Sequence, residues 1–215
     1  MKYYLSSYRV GNHGEKFAEM LNGRRVAYIP NALDHISIED QTKTRDRNQK
    51  DLENLSINSE ILDLKDYFDN SEKLSEVLSN YAGVWVTGGN TFVLRQAMKL
   101  SGFDSILKSV SEDFIYAGYS AGVCVLAPNL EPLQIVDDPN KSPYPQLSEP
   151  IWDGLNILNH MILPHYKSDH PESADIDLEV AECEKKGIPY KTIRDGEVFY
   201  GENILALNKN ISIKP

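Results

Sequence analysis

Phe114-Ile115-Tyr116-Ala117-Gly118-Tyr119-Ser120-Ala121-Gly122-Val123-Cys124-Val125-Leu126 reads as a short apolar strand, a sharp turn and the start of an apolar helical segment. A serine between two glycines at a strand-to-helix turn has the form of a nucleophile elbow. Glycine tolerates the close backbone approach that such a turn imposes. The turn exposes the hydroxyl and aims the following backbone N–H at the place where an oxyanion would form. A glycine-punctuated turn with an incidental serine has the same local pattern, so the reading depends on what surrounds it.

Working outward, Val84-Trp85-Val86 is a strand that runs into a second glycine motif, Thr87-Gly88-Gly89-Asn90. A helix over 91–100 follows, burying Leu94, Ala97 and Met98. Further upstream, strands are expected over 2–7, 25–30 and 61–64. Helices are expected over 15–21, over 38–56 (polar and solvated), after a Ser71 cap with Leu74, Val77 and Leu78 inward, and over 102–110. This alternation predicts an α/β fold, a three-layer sandwich around a mainly parallel central sheet. Both glycine motifs lie at carboxyl ends of strands, the edge where open α/β sheets place ligands.

The pattern changes after Leu126. Residues 128–150 carry six prolines (Pro128, Pro132, Pro139, Pro143, Pro145, Pro150) and little periodicity. Long loops within a compact domain are often functional, and residues 137–150 are read as a lid or specificity loop. Met161-Ile162-Leu163 is a strand leading into Pro164-His165-Tyr166. A helix over 171–186 turns Ile176, Val180 and Cys183 inward and stops at Gly187. Residues 189–213 read as short strands joined at Asp195-Gly196 and Gly201-Glu202-Asn203. With no repeat and no linker, residues 1–215 are read as a single domain.

Composition narrows the function. The 215 residues are 41% hydrophobic with a formal net charge of -10, and the acidic residues are dispersed. Nucleic-acid binding is disfavoured, because phosphate contact needs a basic face. Cys124 and Cys183 are the only cysteines and have no paired spacing, so both are read as free thiols in or near the core. The N-terminal stretch lacks an apolar signal core and nothing approaches membrane-spanning length, which predicts a cytoplasmic protein without membrane association.

A serine hydroxyl needs a base. Of the five histidines, His13 and His35 lie in early loops, His160 in an amphipathic stretch and His170 near a helix start. His165 follows a strand and Pro164, and should emerge at the same sheet edge as Ser120. The base needs a carboxylate to fix its tautomer and stabilise the imidazolium. Asp195 sits in an Asp-Gly pair, which is also a common hairpin turn, and Glu197 and Glu131 compete with it. The backbone N–H groups of Gly88-Gly89-Asn90 suit an anion or oxyanion.

Three blocks carry a resemblance: Val86-Thr87-Gly88-Gly89-Asn90-Thr91-Phe92, the Gly118–Gly122 elbow, and Trp152-Asp153-Gly154-Leu155-Asn156-Ile157 running on to Leu163-Pro164-His165-Tyr166. In this order and spacing the chain resembles the peptidase E family of serine peptidases, the aspartyl dipeptidases, with cyanophycinases as more distant relatives. The resemblance spans nearly the whole chain. It implies a class I glutamine-amidotransferase-like fold and a Ser–His–acid triad. Ser120 would be the nucleophile and His165 the base, and Asp195 falls where the family has its late acid. The oxyanion donors would be the backbone of Gly88 or Gly89 and of Ala121. The substrate would be a short peptide, with no metal or organic cofactor; a homodimer is left open.

One departure concerns specificity. Aspartyl preference in the family is associated with an arginine downstream of the histidine. Here Lys167-Ser168-Asp169-His170-Pro171-Glu172-Ser173-Ala174-Asp175 contains none. Lys167 offers charge without the bidentate fork. Two rivals stay open: a small-molecule esterase or amidase on the same scaffold, for which Asp137 or Asp138 could serve as acid in the order Ser, acid, His, and a binding protein without turnover. A thiol amidotransferase is disfavoured, since the elbow holds Ser120 and Cys124 lies a helical turn beyond.

Overall fold

The computed structural model describes residues 1–202. Its elements are β1 (Lys2–Ser6), α1 (Gly14–Leu21), β2 (Val26–Ile29), α2 (Ile38–Asn54), β3 (Ser59–Ile61), α3 (Ser71–Leu78), β4 (Gly83–Val86), α4 (Thr91–Leu100), α5 (Phe103–Ile106), β5 (Ile115–Tyr119), α6 (Ala121–Cys124), β6 (Met161–Leu163), α7 (Ser173–Lys186), β7 (Tyr190–Thr192) and β8 (Val198–Glu202). Six strands form the central sheet in the order β3-β2-β4-β5-β1-β8. All pair in parallel except β8, which runs antiparallel to β1 at the edge.

The four inner strands β2, β4, β5 and β1 are buried and largely apolar on both faces, as a sheet covered on both sides requires. One face buries Tyr4, Tyr28, Trp85 and Ala117 against Phe17 and Leu21 of α1 and Leu52 of α2. The other buries Leu5, Ile29, Val84 and Val86 against α3 and α4. This is the expected three-layer α/β sandwich. Among the described residues no helix is long and apolar enough to cross a membrane.

Several local details differ from the sequence reading. The third strand lies earlier, over Ser59–Ile61, because Asp63 caps a 3-10 turn instead of continuing the strand: its Oδ1 accepts from the Lys65 N–H at 3.0 Å. Asn70, not Ser71, caps α3. The helix expected over 102–110 is regular only for Phe103–Ile106. The expected tail strands resolve into β7 and β8, which belong to different sheets, so Asp195-Gly196 is a crossover turn and not a hairpin. The remainder of that expectation lies outside the described residues.

Two features of the sheet position the site. Parallel register aligns Ser6 with Tyr119 and Val86 with Gly118, so the three strand ends reach the carboxyl edge together. Glycines then let the elbow close onto β4: a Cβ at Gly122 would lie 2.4 Å from the Val86 carbonyl oxygen, and one at Gly118 2.7 Å from it. Elsewhere, β6 and β7 form a separate parallel pair with Leu163 opposite Thr192. It packs on α7 through Met161, Leu163, Ile176 and Cys183.

Candidate active site

Ser120 occupies the turn between β5 and α6 with φ 49° and ψ -119°. A non-glycine residue at such a backbone conformation is strained, and strain of this kind concentrates at functional turns. Gly89 holds the neighbouring turn at φ 140°; a Cβ there would sit 2.4 Å from the Ala32 carbonyl oxygen, so only glycine fits. Gly88, Gly89, Asn90, Ser120 and His165 line one cleft of about 480 Å³. Asn90 contributes to its wall, but both polar atoms of its side chain are engaged: Oδ1 caps α4 at Val93 N (3.0 Å), and Nδ2 donates to the Asp138 carbonyl (3.0 Å).

His165 and Asp195 meet through the small parallel sheet. Because β6 and β7 run in the same direction, the residues leaving their carboxyl ends emerge side by side. Ile193 N–H donates to Leu163 C=O (3.0 Å) and Tyr166 N–H to Ile193 C=O (3.2 Å). His165 Nδ1 then lies 2.7 Å from Asp195 Oδ1. Burial alone would raise the Asp195 carboxyl, but hydrogen bonds from His165 and Ser7 outweigh it and hold it below the usual carboxylate range. The competing acids lie elsewhere. Glu197 Oε2 accepts from the Arg194 N–H within the turn (2.8 Å), and Glu131 pairs with Lys186 (2.7 Å). Asp137 Oδ2 accepts from Thr91 N–H at 2.8 Å, and Asp138 caps its own loop at Asn140.

Sequence reasoning missed Ser7. Its buried hydroxyl donates to Asp195 Oδ1 (2.7 Å) and accepts from the His165 N–H (2.8 Å), joining the end of β1 to both partners. Ser7→Ala leaves two buried polar groups short of a bond, a loss on the order of 1–3 kcal/mol. The expected result is a kcat lowered about tenfold with KM little changed, as for a group that positions His165; steady-state kinetics on a cleaved peptide checks it.

His170 and His35, which the sequence places only near a helix start or in a loop, both line the cleft. His170 stacks on His165 with centroids 3.7 Å apart and planes 8° from parallel. Burial, then the neighbouring His165, lowers its pKa. Among the described residues, His165, His170 and Glu172 form the one group that brings three potential metal-ligand atoms within 4.8 Å. The two rings lie stacked in nearly parallel planes, so a single ion cannot lie in the plane of both. The structure does not bring Lys167 to the cleft: it is exposed, and its ammonium lies 4.9 Å from the centre of the Tyr166 ring. Arg47 of α2 is there instead, 5.9 Å from the Tyr8 ring, which in turn is 5.8 Å from the His165 ring. The 137–150 loop forms part of the wall, tied down by the Asp137–Thr91 and Asn90–Asp138 bonds and by Tyr144 OH to Asp34 (2.5 Å). Cys124 and Cys183 are free and buried.

Beside Ser120 the cleft continues into a recess that contains Glu179 of α7, only 1% exposed. Burial, reinforced by Asp137 and Glu172, pushes the Glu179 carboxyl up to about 9. Such a group is protonated in the folded protein at neutral pH but ionised in the unfolded chain. Unfolding then releases a proton, and stability declines from about pH 4.5, the ordinary value, towards 9. Glu179→Gln removes this liability. The variant is expected to gain stability over the wild type as pH rises through that window, by at most about 1.4 kcal/mol per pH unit. Denaturant unfolding at several pH values measures it; a difference independent of pH would contradict it.

Taken together, the fold and the cleft define a mainly parallel α/β protein whose candidate site combines a serine elbow with a histidine–carboxylate pair. The model of Peptidase family S51 matches residues 7–203, and the chain belongs to this family. It is 32% identical over 157 residues to the uncharacterized peptidase Lmo0363 of Listeria monocytogenes, covering 71% of each chain. It is also 32% identical over 154 residues to the uncharacterized peptidase Lin0382 of Listeria innocua, covering 71% of this chain and 69% of that one. The crystal structure of a candidate peptidase E protein from Listeria monocytogenes EGD-e superimposes with a TM-score of 0.78 at 26% identity, covering 99% of this chain and 97% of that one.

Proposed function

We propose that this member of a peptidase family is a serine peptidase acting on short peptides. The observation that carries the reading is the 2.7 Å pair of His165 Nδ1 and Asp195 Oδ1, whose histidine lines the same cleft as the strained Ser120. Asp195 fixes the tautomer in which His165 Nε2 is free to accept a proton. His165 takes the Ser120 proton as Oγ attacks the peptide carbonyl. The tetrahedral oxyanion faces the backbone N–H groups of Ala121 and of Gly88 or Gly89. His165 protonates the leaving amine, and a water then cleaves the acyl-enzyme with the roles reversed.

The cleft suits a dipeptide-sized ligand. Arg47 on its wall offers a guanidinium that no carboxylate of the described residues pairs with, so a substrate carboxylate could be bound without Lys167. The test combines a fluorophosphonate probe with a dipeptide panel of varied first residues, each with a free and an amidated C-terminus. Labelling at Ser120 with cleavage favouring free C-termini is expected. Cleavage of esters but not peptides would favour an esterase, and neither labelling nor cleavage would favour a binding protein.

A further inference from the structure

The recess beside Ser120 is small and acidic. Its volume is about 20 Å³, room for one group the size of a water or an ammonium. It shares Gly89, Ser120, Asp137, His165 and Glu172 with the cleft and ends on Glu179. Glu179 Oε2 is buried without a hydrogen-bond partner. No lysine or arginine lines the recess. A buried acceptor left unpaired is costly, and although Glu179 is held neutral, the carboxyl groups of Asp137 and Glu172 beside a nucleophilic serine would oppose an oxyanion forming there. A small cation-bearing donor resolves both problems at once, since it supplies the missing hydrogen bond and balances the charge.

We propose that this recess is a subsite for a primary ammonium of the substrate, bound by Glu179 with Glu172 and Asp137. The proposal deepens the serine-peptidase reading, on which it rests only for the identity of the neighbouring carbonyl. The ammonium is either the α-amine of the residue whose carbonyl meets Ser120 or the tip of a lysine-type side chain; the chemistry is the same. Glu172 also stands 4.0 Å from His165 Nε2 and 3.8 Å from His170 Nδ1, so it borders both the recess and the histidine pair. The titratable groups facing the recess are Asp137, Glu172, Glu179, His165 and Cys124. Of these Glu179 is the carboxyl held most strongly in its neutral form, with Asp137 raised to about 6. Binding of an ammonium therefore expels a proton from the recess.

Calorimetry on the Ser120→Ala protein tests this without turnover. The probes are L-leucinamide (α-amine only), Nα-acetyl-L-lysinamide (side-chain amine only) and N-acetyl-L-leucinamide (no amine). One or both amines should bind at least tenfold more tightly than the third probe, and which one identifies the source. The heat should vary with the ionisation enthalpy of the buffer, reporting proton release. Ammonium chloride should compete and tetramethylammonium, too large for the recess, should not. Adding Glu179→Gln should abolish the preference, and Glu172→Gln, on a half-exposed residue, should weaken it. Equal binding of all three probes, or a preference that survives both substitutions, overturns the proposal. Wild-type labelling by a fluorophosphonate is read separately. Its loss with the amine preference intact removes the serine mechanism and keeps the subsite, and the opposite result does the reverse.

Discussion

Ser120→Ala is expected to lower kcat about a million-fold for any peptide that the wild type cleaves, to the level left by binding and oxyanion contacts alone. The size follows from the chemistry: without Oγ there is no acyl-enzyme, and His165 has no hydroxyl from which to take a proton. The fold should not notice. The turn is held by the fit of Gly118 and Gly122 against Val86 and by the Val123 and Cys124 N–H bonds to the Ser120 carbonyl at 2.7 and 2.9 Å, all of them backbone features. Thermal unfolding of the variant should match the wild type to within about 1 kcal/mol. Retained turnover in a correctly folded variant would sink the serine mechanism.

Asp195→Asn is expected to lower kcat about 10⁴-fold while leaving the cleft intact. An amide in this place can donate to His165 Nδ1, which moves the ring proton to Nε2 and leaves no lone pair facing Ser120. It also removes the charge that would stabilise an imidazolium. Glu197→Gln and Glu131→Gln serve as controls. Glu197 accepts a backbone bond inside its own turn and Glu131 pairs with Lys186 on the surface, so each should stay within about twofold of wild type. A large loss in either control, with Asp195→Asn near wild type, would move the acid assignment. The same hydrogen bonds set an acid limit on stability. The Asp195 carboxyl is depressed in the folded state, so the stabilisation it confers is present above the ordinary carboxylate pKa and lost as pH falls through its folded value.

Much of the architecture was legible because local pattern and global fold agree. The β4–Gly88-Gly89–α4 and β5–Ser120–α6 units each pair an apolar run with a glycine turn and a helix, and each forms where the pattern put it. Misread boundaries fall where a polar side chain competes with the regular element, as at Asp63, which leaves the strand pattern to cap a turn. Glu179 left a weaker trace. It lies on the same face of α7 as Ile176 and Cys183, so the helical period alone makes it a buried carboxyl. Ser7 left none, because a serine one residue past a strand end is common and only its partners distinguish it.

Local sequence determined the sheet, its carboxyl edge and the serine elbow, since strand alternation and glycine turns depend on residues near each other in the chain. What tertiary structure alone decided is the company that Ser120 keeps. The pairing of β6 with β7 brings His165 to Asp195 across 30 residues. The end of β1 adds Ser7 from 188 residues away, α2 brings Arg47, and α7 closes the acidic recess. Each of these contacts joins segments that carry no mark of one another in sequence. Only burial of the apolar faces behind them, in the packed sheet and its satellite pair, fixes which polar groups face the same cleft.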